Sequence, residues 1–236
     1  MKSNLRARLT AEFLGTALLV ATVIGSGIMA ERLAQGDLAL ALLANTIATG
    51  AALVALLLAF GPISGAHLNP VVSLVDAMEG GIPWMDAFSY AAAQFSGGIV
   101  GAILAHAMFE LPLLTVSRHV RSGRAQFLSE FVATFGLMCV IWGCSRSRSG
   151  LVPFAVGSYI TAAYWFTAST SFANPAVTIA RSLSDTFAGI RPADVPLFIA
   201  AQVAGGIAAT LLFRWLGANS RARTVVPSAS LKDGTL

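Results

Sequence analysis

Charged side chains are scarce in this sequence. Only 11% of its 236 residues are Asp, Glu, Lys or Arg, whereas 56% are hydrophobic and the mean hydropathy is +0.75. A soluble globular domain carries about 25% charged residues, so this composition indicates a polytopic membrane protein. The formal charge of +4 does not indicate nucleic-acid binding, because the basic residues are scattered at segment ends and in short loops.

Cysteine and histidine are also few. The two cysteines, Cys139 and Cys144, share one apolar segment and lack both the neighbouring ligands of a zinc site and the spacing of a secreted disulfide scaffold. We therefore expect buried reduced thiols, no metal site and no cofactor. The apolar run at 13–30 lacks a clear signal-peptidase site, so we expect a retained first span rather than a signal peptide.

Long apolar runs, in contrast, fill most of the chain. They predict six membrane spans, at 9–30, 38–60, 84–108, 126–144, 151–169 and 195–216. Nothing reads as a separate soluble domain, so we expect one membrane domain over 1–236 with a cytoplasmic tail at 219–236.

Two similar stretches follow the second and fifth spans. They read N-P-V-V-S-L-V-D at 69–76 and N-P-A-V-T-I-A-R at 174–181. Asn is a favoured helix N-cap, and Pro is well suited to the first helical position. Each apolar stretch continues for only about ten residues, roughly half of what crosses a bilayer. The sequence thus predicts two half-helices, which begin at Asn69-Pro70-Val71 and Asn174-Pro175-Ala176.

Two further repeated motifs indicate an internal duplication. A-E-F-L-G-T at 11–16 matches S-E-F-V-A-T at 129–134, and A-Q-F-S-G-G at 93–98 matches A-Q-V-A-G-G at 201–206. Repeats at about 9–110 and 126–218 contain three spans each, so the second repeat must enter the membrane from the opposite side.

An inverted repeat brings the two half-helices together near the membrane centre. Non-helical backbone at that depth is tolerated only inside protein or along a wet cavity. Asn69 and Asn174 then cap their helices through the side-chain oxygen, and we expect their amide donors to face the cavity beside two positive helix ends. Such a site favours water and hydroxyl oxygens and repels cations.

The basic residues that flank the spans favour a cytoplasmic location for both termini. Nine lie on the side of the termini and six on the other side. The nine are Lys2, Arg6, Arg8, Arg146, Arg148, Arg214, Arg221, Arg223 and Lys232, and the six are Arg32, Arg118, Arg121, Arg124, Arg181 and Arg191.

The two Asn-Pro stretches, with S-G-A-H-L-N-P-V at 64–71 and N-P-A at 174–176, resemble the paired NPA signatures of aquaporins, the major intrinsic proteins. The resemblance covers nearly the whole chain, since the openings at Glu12 and Glu130 and the glycine-rich spans at Gln94 and Gln202 also fit the family pattern. It implies an all-α membrane fold of six tilted helices and two re-entrant half-helices, a homotetramer, and passive flow of water or small uncharged solutes without enzymatic activity.

The resemblance also implies roles for three residues outside the half-helices. Glu12 and Glu130 would brace the re-entrant loops by accepting hydrogen bonds; the alternative is that both snorkel from span ends. His67 would line the cytoplasmic half of the pore; the alternative is a solvated loop histidine.

The selectivity filter departs from the family pattern. The family's usual Arg after the second NPA is Val177 here, and family spacing places the other three filter positions at Thr49, Ala162 and Ser171. Four small uncharged residues imply a wide filter, typical of glycerol or of neutral metalloids such as arsenite, with methylated arsenicals as further candidates. Bacterial aquaglyceroporins of the metalloid-handling type are the most similar subgroup, which implies a bacterial inner membrane.

Arg181 lies one helical turn beyond Val177, on the same face of the second half-helix. It supplies some of the missing charge from the vestibule, or it caps the helix and meets lipid headgroups; both interpretations stay open. Arg118, Arg121 and Arg124 in the preceding outer loop either add to an electropositive mouth or are simply solvated.

Other functions remain as alternatives. A strict water channel and a secondary transporter both fit inverted repeats, although a transporter normally places coupling acids at mid-membrane. An intramembrane serine protease rests only on the G-x-S-G-like pattern at 61–65 and on the histidines at 67 and 106.

Overall fold

The computed structural model describes residues 4–146 and 148–223, with side chains described up to residue 217. All regular elements in this part of the chain are helical. The α-helices are α1 Leu5–Ala34, α2 Leu38–Ser64, α3 Pro70–Met78, α4 Trp84–Met108, α5 Arg124–Ser145, α6 Val152–Phe166, α7 Pro175–Arg181 and α8 Val195–Arg223. The predicted tail begins within α8, and its part at 224–236 lies outside the described residues.

Five of the six predicted spans form helices that are long and apolar enough to cross a membrane. These are α1, α2, α4, α5 and, over Pro192–Gly217, α8 with the short 3-10 turn before it. The predicted span at 151–169 is too long, because α6 has only 15 residues and Thr167 is already extended. At 1.5 Å per residue α6 reaches about 22 Å, short of the roughly 30 Å hydrocarbon core, and the re-entrant loop follows it directly.

The helices pack as two equivalent groups. In the first repeat α1 lies against α2 and α4, and in the second α5 lies against α6 and α8; α2 and α6 cross between the groups. A Cβ atom at Gly97 would collide with the carbonyl oxygen of Phe13, and one at Gly205 would collide with that of Phe131. Only glycine therefore permits the α1–α4 and α5–α8 approaches.

The loops before α3 and α7 share an unusual backbone pattern. Ala66 and Leu68 have φ of 45° and 49°, and Ser171 and Ala173 have φ of 49° and 48°. These residues stand three and one positions before the Asn in each repeat. Left-handed conformations are uncommon outside glycine and cost about 1 kcal/mol or more each, so both loops hold the same strained turn in place.

Candidate pore

The two half-helices touch through their N-cap residues. Asn69 Nδ2 donates to the carbonyl oxygen of Ala173 at 2.7 Å, and Asn174 Nδ2 donates to that of Leu68 at 2.8 Å. The Asn oxygens accept from backbone N–H groups at the start of α3 and α7, as expected for N-caps. One amide hydrogen of each Asn therefore links the two loops, and only the other is left for the cavity, which corrects the expectation that both donors face it.

Glu12 and Glu130 hold the two loops from behind. Both carboxylates are fully buried. Glu12 accepts from the backbone N–H groups of His67 at 2.9 Å and Leu68 at 2.7 Å, and Glu130 accepts from those of Phe172 and Ala173, both at 2.9 Å. Charge-assisted hydrogen bonds of this kind fix the loop backbone, and a snorkelling position does not fit zero exposure.

A second set of polar side chains connects each carboxylate to its half-helix. Gln94 donates to Glu12 at 2.8 Å and to Ser73 at 3.1 Å. In the other repeat Gln202 donates to Glu130 at 2.6 Å and to Thr178 at 2.9 Å.

Ser73 and Thr178 complete this connection, because each also donates to the carbonyl oxygen of its repeat's Asn, at 3.3 and 2.7 Å. The sequence prediction missed both residues. Their shared position, four residues after the Asn in each repeat, is the signal that an alignment of the repeats contains.

A cavity of about 300 Å³ runs along the loops and the half-helix N-caps. One wall is formed by the loop residues at 65–69 and 171–174. The facing wall is apolar and comes from α1, α2, α5 and α6, with Leu19, Leu53, Leu57, Leu137, Val156 and Ile160 among its residues. The cavity thus presents polar groups on one side and hydrocarbon on the other.

Three of the four predicted filter residues, Thr49, Ser171 and Val177, line this cavity. The fourth prediction, Ala162, is wrong: its side chain is exposed on the other face of α6. The residues of α6 that line the cavity are Val152, Val156, Ile160 and Tyr164, which follow one another at i, i+4.

Tyr164 takes the place that was assigned to Ala162. It is 3% exposed, and its hydroxyl lies 3.4 Å from Thr49 Oγ1. The cavity wall beside Thr49 therefore contains a phenol ring, in place of the small residue that was expected from α6.

His67 lies in the cavity wall with Asp76, a residue that the sequence prediction did not place in the pore. The His67 ring lies 3.1 Å from Ser73 Oγ through Nδ1 and 3.6 Å from the Asp76 carboxylate through Nε2. Ser64 Oγ instead donates to Glu12 at 2.6 Å. Ser64 and His67 thus have other partners, and the arrangement does not support a serine protease.

Arg181 is buried at the opposite end of the cavity. It is 1% exposed, its Nε donates to the carbonyl oxygen of Ala188, and its guanidinium lies 3.4 Å from the centre of the Phe172 ring. This burial excludes contact with lipid headgroups.

The three arginines of the outer loop differ from one another. Arg118 and Arg124 are exposed, whereas Arg121 donates to the carbonyl oxygens of Gly189 at 2.8 Å and Ser169 at 3.1 Å. Burial lowers the pKa of the Arg121 guanidinium to about 10, so it stays positively charged at neutral pH. No sequence feature distinguishes Arg121 from Arg118 and Arg124.

The sequence profile of the major intrinsic protein family matches residues 1–171 and 151–235. This chain is 57% identical over 213 residues to aquaglyceroporin AqpS of Rhizobium meliloti (strain 1021), with 90% of this chain and 91% of that protein covered. It is 30% identical to aquaporin Z of Bradyrhizobium diazoefficiens over 87% of this chain and 91% of the relative.

A solved structure with a similar fold is the aquaglyceroporin from Plasmodium falciparum. The TM-score is 0.71 at 20% identity, and the match covers 89% of this chain and 96% of that one. The all-helical fold with two re-entrant half-helices that the sequence predicts is thereby confirmed.

Proposed function

Because this chain belongs to the major intrinsic protein family, we propose that it is a passive channel for water and small neutral solutes, with glycerol and arsenite-sized metalloids among them. The observation that carries the proposal is the two-sided cavity. Loop residues and the Asn69–Asn174 pair present polar groups along one wall, while apolar side chains form the other. A polyol has hydroxyls on one side and carbon on the other, so it matches both walls at once.

The filter supports solutes larger than water. Val177 is uncharged and 4% exposed, so no fixed cation stands at its position. Tyr164 narrows the same level from α6, and this observation keeps a strict water channel as the second candidate. Pore diameter and the polarity of these side chains decide between the two.

The experiment is a solute panel on purified protein in liposomes, with water, glycerol and neutral arsenite. The wild type is expected to conduct all three. V177R should reduce glycerol and arsenite flux by about tenfold or more and water flux much less, since a long cationic side chain fills the filter. A wild type that passes water and excludes glycerol would establish the water channel instead.

Variants of α6 test the same proposal from the opposite wall. Y164A should admit solutes bulkier than glycerol, because it removes the ring beside Thr49. W165A is the matched control, since Trp165 is adjacent and aromatic but 48% exposed. Equal effects of the two variants would contradict the position of Tyr164 in the constriction.

Passive flow is favoured over coupled transport by the state of the buried carboxylates. Glu12 and Glu130 are both engaged by loop N–H groups and by glutamines, so neither is free to bind a coupling ion. Flux that rises linearly with solute concentration and ignores ion gradients is the expected result. Saturation at low concentration with gradient dependence would favour a secondary transporter.

Large apolar side chains on the outside of the helices fit lipid and neighbouring protomers. Examples are Leu18, Leu43, Phe88 and Phe154, all 44% exposed or more. We propose a homotetramer in a bacterial inner membrane, and light scattering of the detergent-solubilised protein gives the protomer number.

A further inference from the structure

Two neighbouring arginines, Arg181 in the cavity wall and Arg121 against the same Phe172 ring, have no carboxylate partner in the part of the chain that the structure describes. Among the described residues, the ion pairs within 4 Å are Arg8–Asp86, His67–Asp76, Arg191–Asp194 and Arg214–Glu79. Arg121 and Arg181 belong to none of them. Their side-chain hydrogen bonds go to backbone carbonyl oxygens of residues 169, 188 and 189. Carbonyl dipoles stabilise a buried cation only in part.

The acidic residues that act on these two arginines are already engaged. Glu130 accepts three hydrogen bonds, from the backbone of residues 172 and 173 and from Gln202. Asp194 accepts from the side chain of Arg191 and from the backbone N–H of Arg121. Neither carboxylate forms an ion pair with Arg121 or Arg181, so the buried Arg181 and the partly buried Arg121 have no direct counter-charge within the described part of the chain.

Two polar atoms at the same place lack any partner. Arg181 Nη1 and Ser171 Oγ are buried and make no hydrogen bond. Both residues line the cavity and are nearly fully buried, with exposures of 1% and 2%. The two guanidiniums also share the Phe172 ring, whose centre lies 3.4 Å from Arg181 Cζ and 5.0 Å from Arg121 Cζ. The Phe172 ring thus holds both cations next to its chain neighbour Ser171.

We propose that this cluster, formed by Ser171, Phe172, Arg181 and Arg121, is a binding subsite for small monovalent oxyanions in the outer vestibule. The subsite extends the proposed function, since it acts on solutes that enter the same pore. A guanidinium presents coplanar N–H donors that match the oxygens of an oxyanion, and the Ser171 hydroxyl adds a further donor. The anion supplies both the missing charge and the missing acceptor.

The negative charge of Asp76 at the other end of the pore explains why we expect anions to reach the subsite from the outer side only. Asp76 stands seven residues after Asn69, as Arg181 stands seven residues after Asn174, and both line the cavity. The duplicated positions therefore carry opposite charges at the two ends. An anion is attracted at the Arg181 end and repelled at the Asp76 end, so it reaches the subsite from outside.

The first test measures binding of inorganic phosphate at pH 6, where the monoanion predominates, by titration calorimetry of the full chain in detergent. Wild type and R118Q should bind, and R181Q should bind at least tenfold more weakly. R118Q is the matched control, because it removes an equal charge from an exposed position of the same outer loop. Potassium chloride of equal ionic strength should not compete with phosphate, since chloride has no set of oxygen acceptors to match the guanidinium donors.

If R181Q fails to fold, S171A and R181K carry the same comparison. Both variants keep a side chain in the cavity wall. S171A removes the hydroxyl donor and R181K removes the coplanar guanidinium donors, so each should weaken phosphate binding at least threefold. Absence of phosphate binding to the wild type, or equal binding by wild type, R181Q, S171A and R181K, would overturn the subsite.

The second test adds phosphate to only one side of glycerol-conducting proteoliposomes. Phosphate on the outer face should slow glycerol flux in wild type and R118Q, and phosphate on the inner face should not. Slowing from both faces equally would contradict the one-sided site. If glycerol fails to pass at all, the proposed function falls, while the calorimetric comparison still decides the anion subsite.

Discussion

The most consequential single residues are the two buried glutamates, because each replaces several interactions that a membrane interior cannot supply. Without them the loop N–H groups would lie unpaired where water is scarce. The repeats use the same solution at Glu12 and Glu130, with Gln94 and Gln202 as side-chain donors. A pore formed by irregular backbone therefore depends on side chains that lie outside the solute path.

Substitution of Glu130 by Gln should destabilise the protein by about 3–5 kcal/mol, since an amide cannot accept from residues 172, 173 and 202 without presenting its own N–H to a donor. Thermal unfolding in detergent measures the change. E31Q is the control, because Glu31 is exposed on α1. Equal melting of E130Q and wild type would contradict the bracing role.

Site residues could be predicted from the sequence where a motif is repeated. They were predicted less well where the rotation of a helix determines which side chains face the cavity. Repeated sequence motifs predict the half-helix caps and the two buried glutamates, Glu12 and Glu130. Ala162 was chosen by counting along family spacing, but the pore stripe of α6 passes through Ile160 and Tyr164. Two residues along an α-helix turn the side chain by about 200°, which no composition argument detects.

At the scale of elements, the closest helix contacts depend on glycines, which have no side chain to keep the helices apart. The α1–α4 and α5–α8 pairs approach so closely that a carbonyl oxygen of one helix lies well inside contact distance of where the Cβ of a glycine in the other would stand. Such approach is favoured in membranes, where small residues permit close van der Waals packing. It also sets the angle at which Gln94 and Gln202 reach their glutamates.

G205A should prevent correct packing of α5 on α8, because the added methyl group meets the Phe131 backbone rather than a movable side chain. The yield of monodisperse protein in size-exclusion chromatography measures this packing, and we expect a much lower yield for G205A than for the wild type. G143A is the control, since the nearest atom that its Cβ would meet outside its own helix turn is Phe213 Cζ, at an ordinary contact distance of 3.8 Å. Similar yields for both variants would show that the α5–α8 contact tolerates separation.

The predicted span ends lie within four residues of the helix ends except at the C-terminal end of α8, and α6 is the one helix that is shorter than its predicted span. Residues 167–169, which read Thr-Ala-Ser, carry no charge or helix breaker, yet they leave the helix because the chain turns into the second re-entrant loop. The signal for that turn lies in contacts with α5 and the outer loop. The Ala168 N–H donates to Ser129 Oγ of α5 at 3.0 Å, and the Arg121 guanidinium donates to the Ser169 carbonyl oxygen at 3.1 Å. Contacts of this kind join residues far apart in sequence and are invisible to a local window.

At the scale of the whole molecule, the inverted repeat determines which ends face the same side. Five of the described helices satisfy the length and apolarity of a span, and α6 with the second loop completes the sixth passage. An even number of passages returns the chain to its starting side. The excess of basic residues on that side predicts that it is cytoplasmic.

Labelling of two exposed serines tests this orientation. In a variant without Cys139 and Cys144, S122C should react with a membrane-impermeant maleimide added outside intact cells, whereas S149C should react only after permeabilisation. The two sites lie in loops at opposite ends of α5, so each controls for the other. The reverse pattern would place the termini outside.

The hydrogen bonds that join the Asn69 and Asn174 loops also have a consequence for biosynthesis. Asn69 is separated from its acceptor, Ala173, by 104 positions. At roughly 5–20 residues per second, the ribosome delivers that acceptor about 5–20 s after Asn69 has been made. During this interval the first loop has its hydrogen bonds to Glu12 but lacks its partner loop, so the centre of the pore can form only after the second loop has been made.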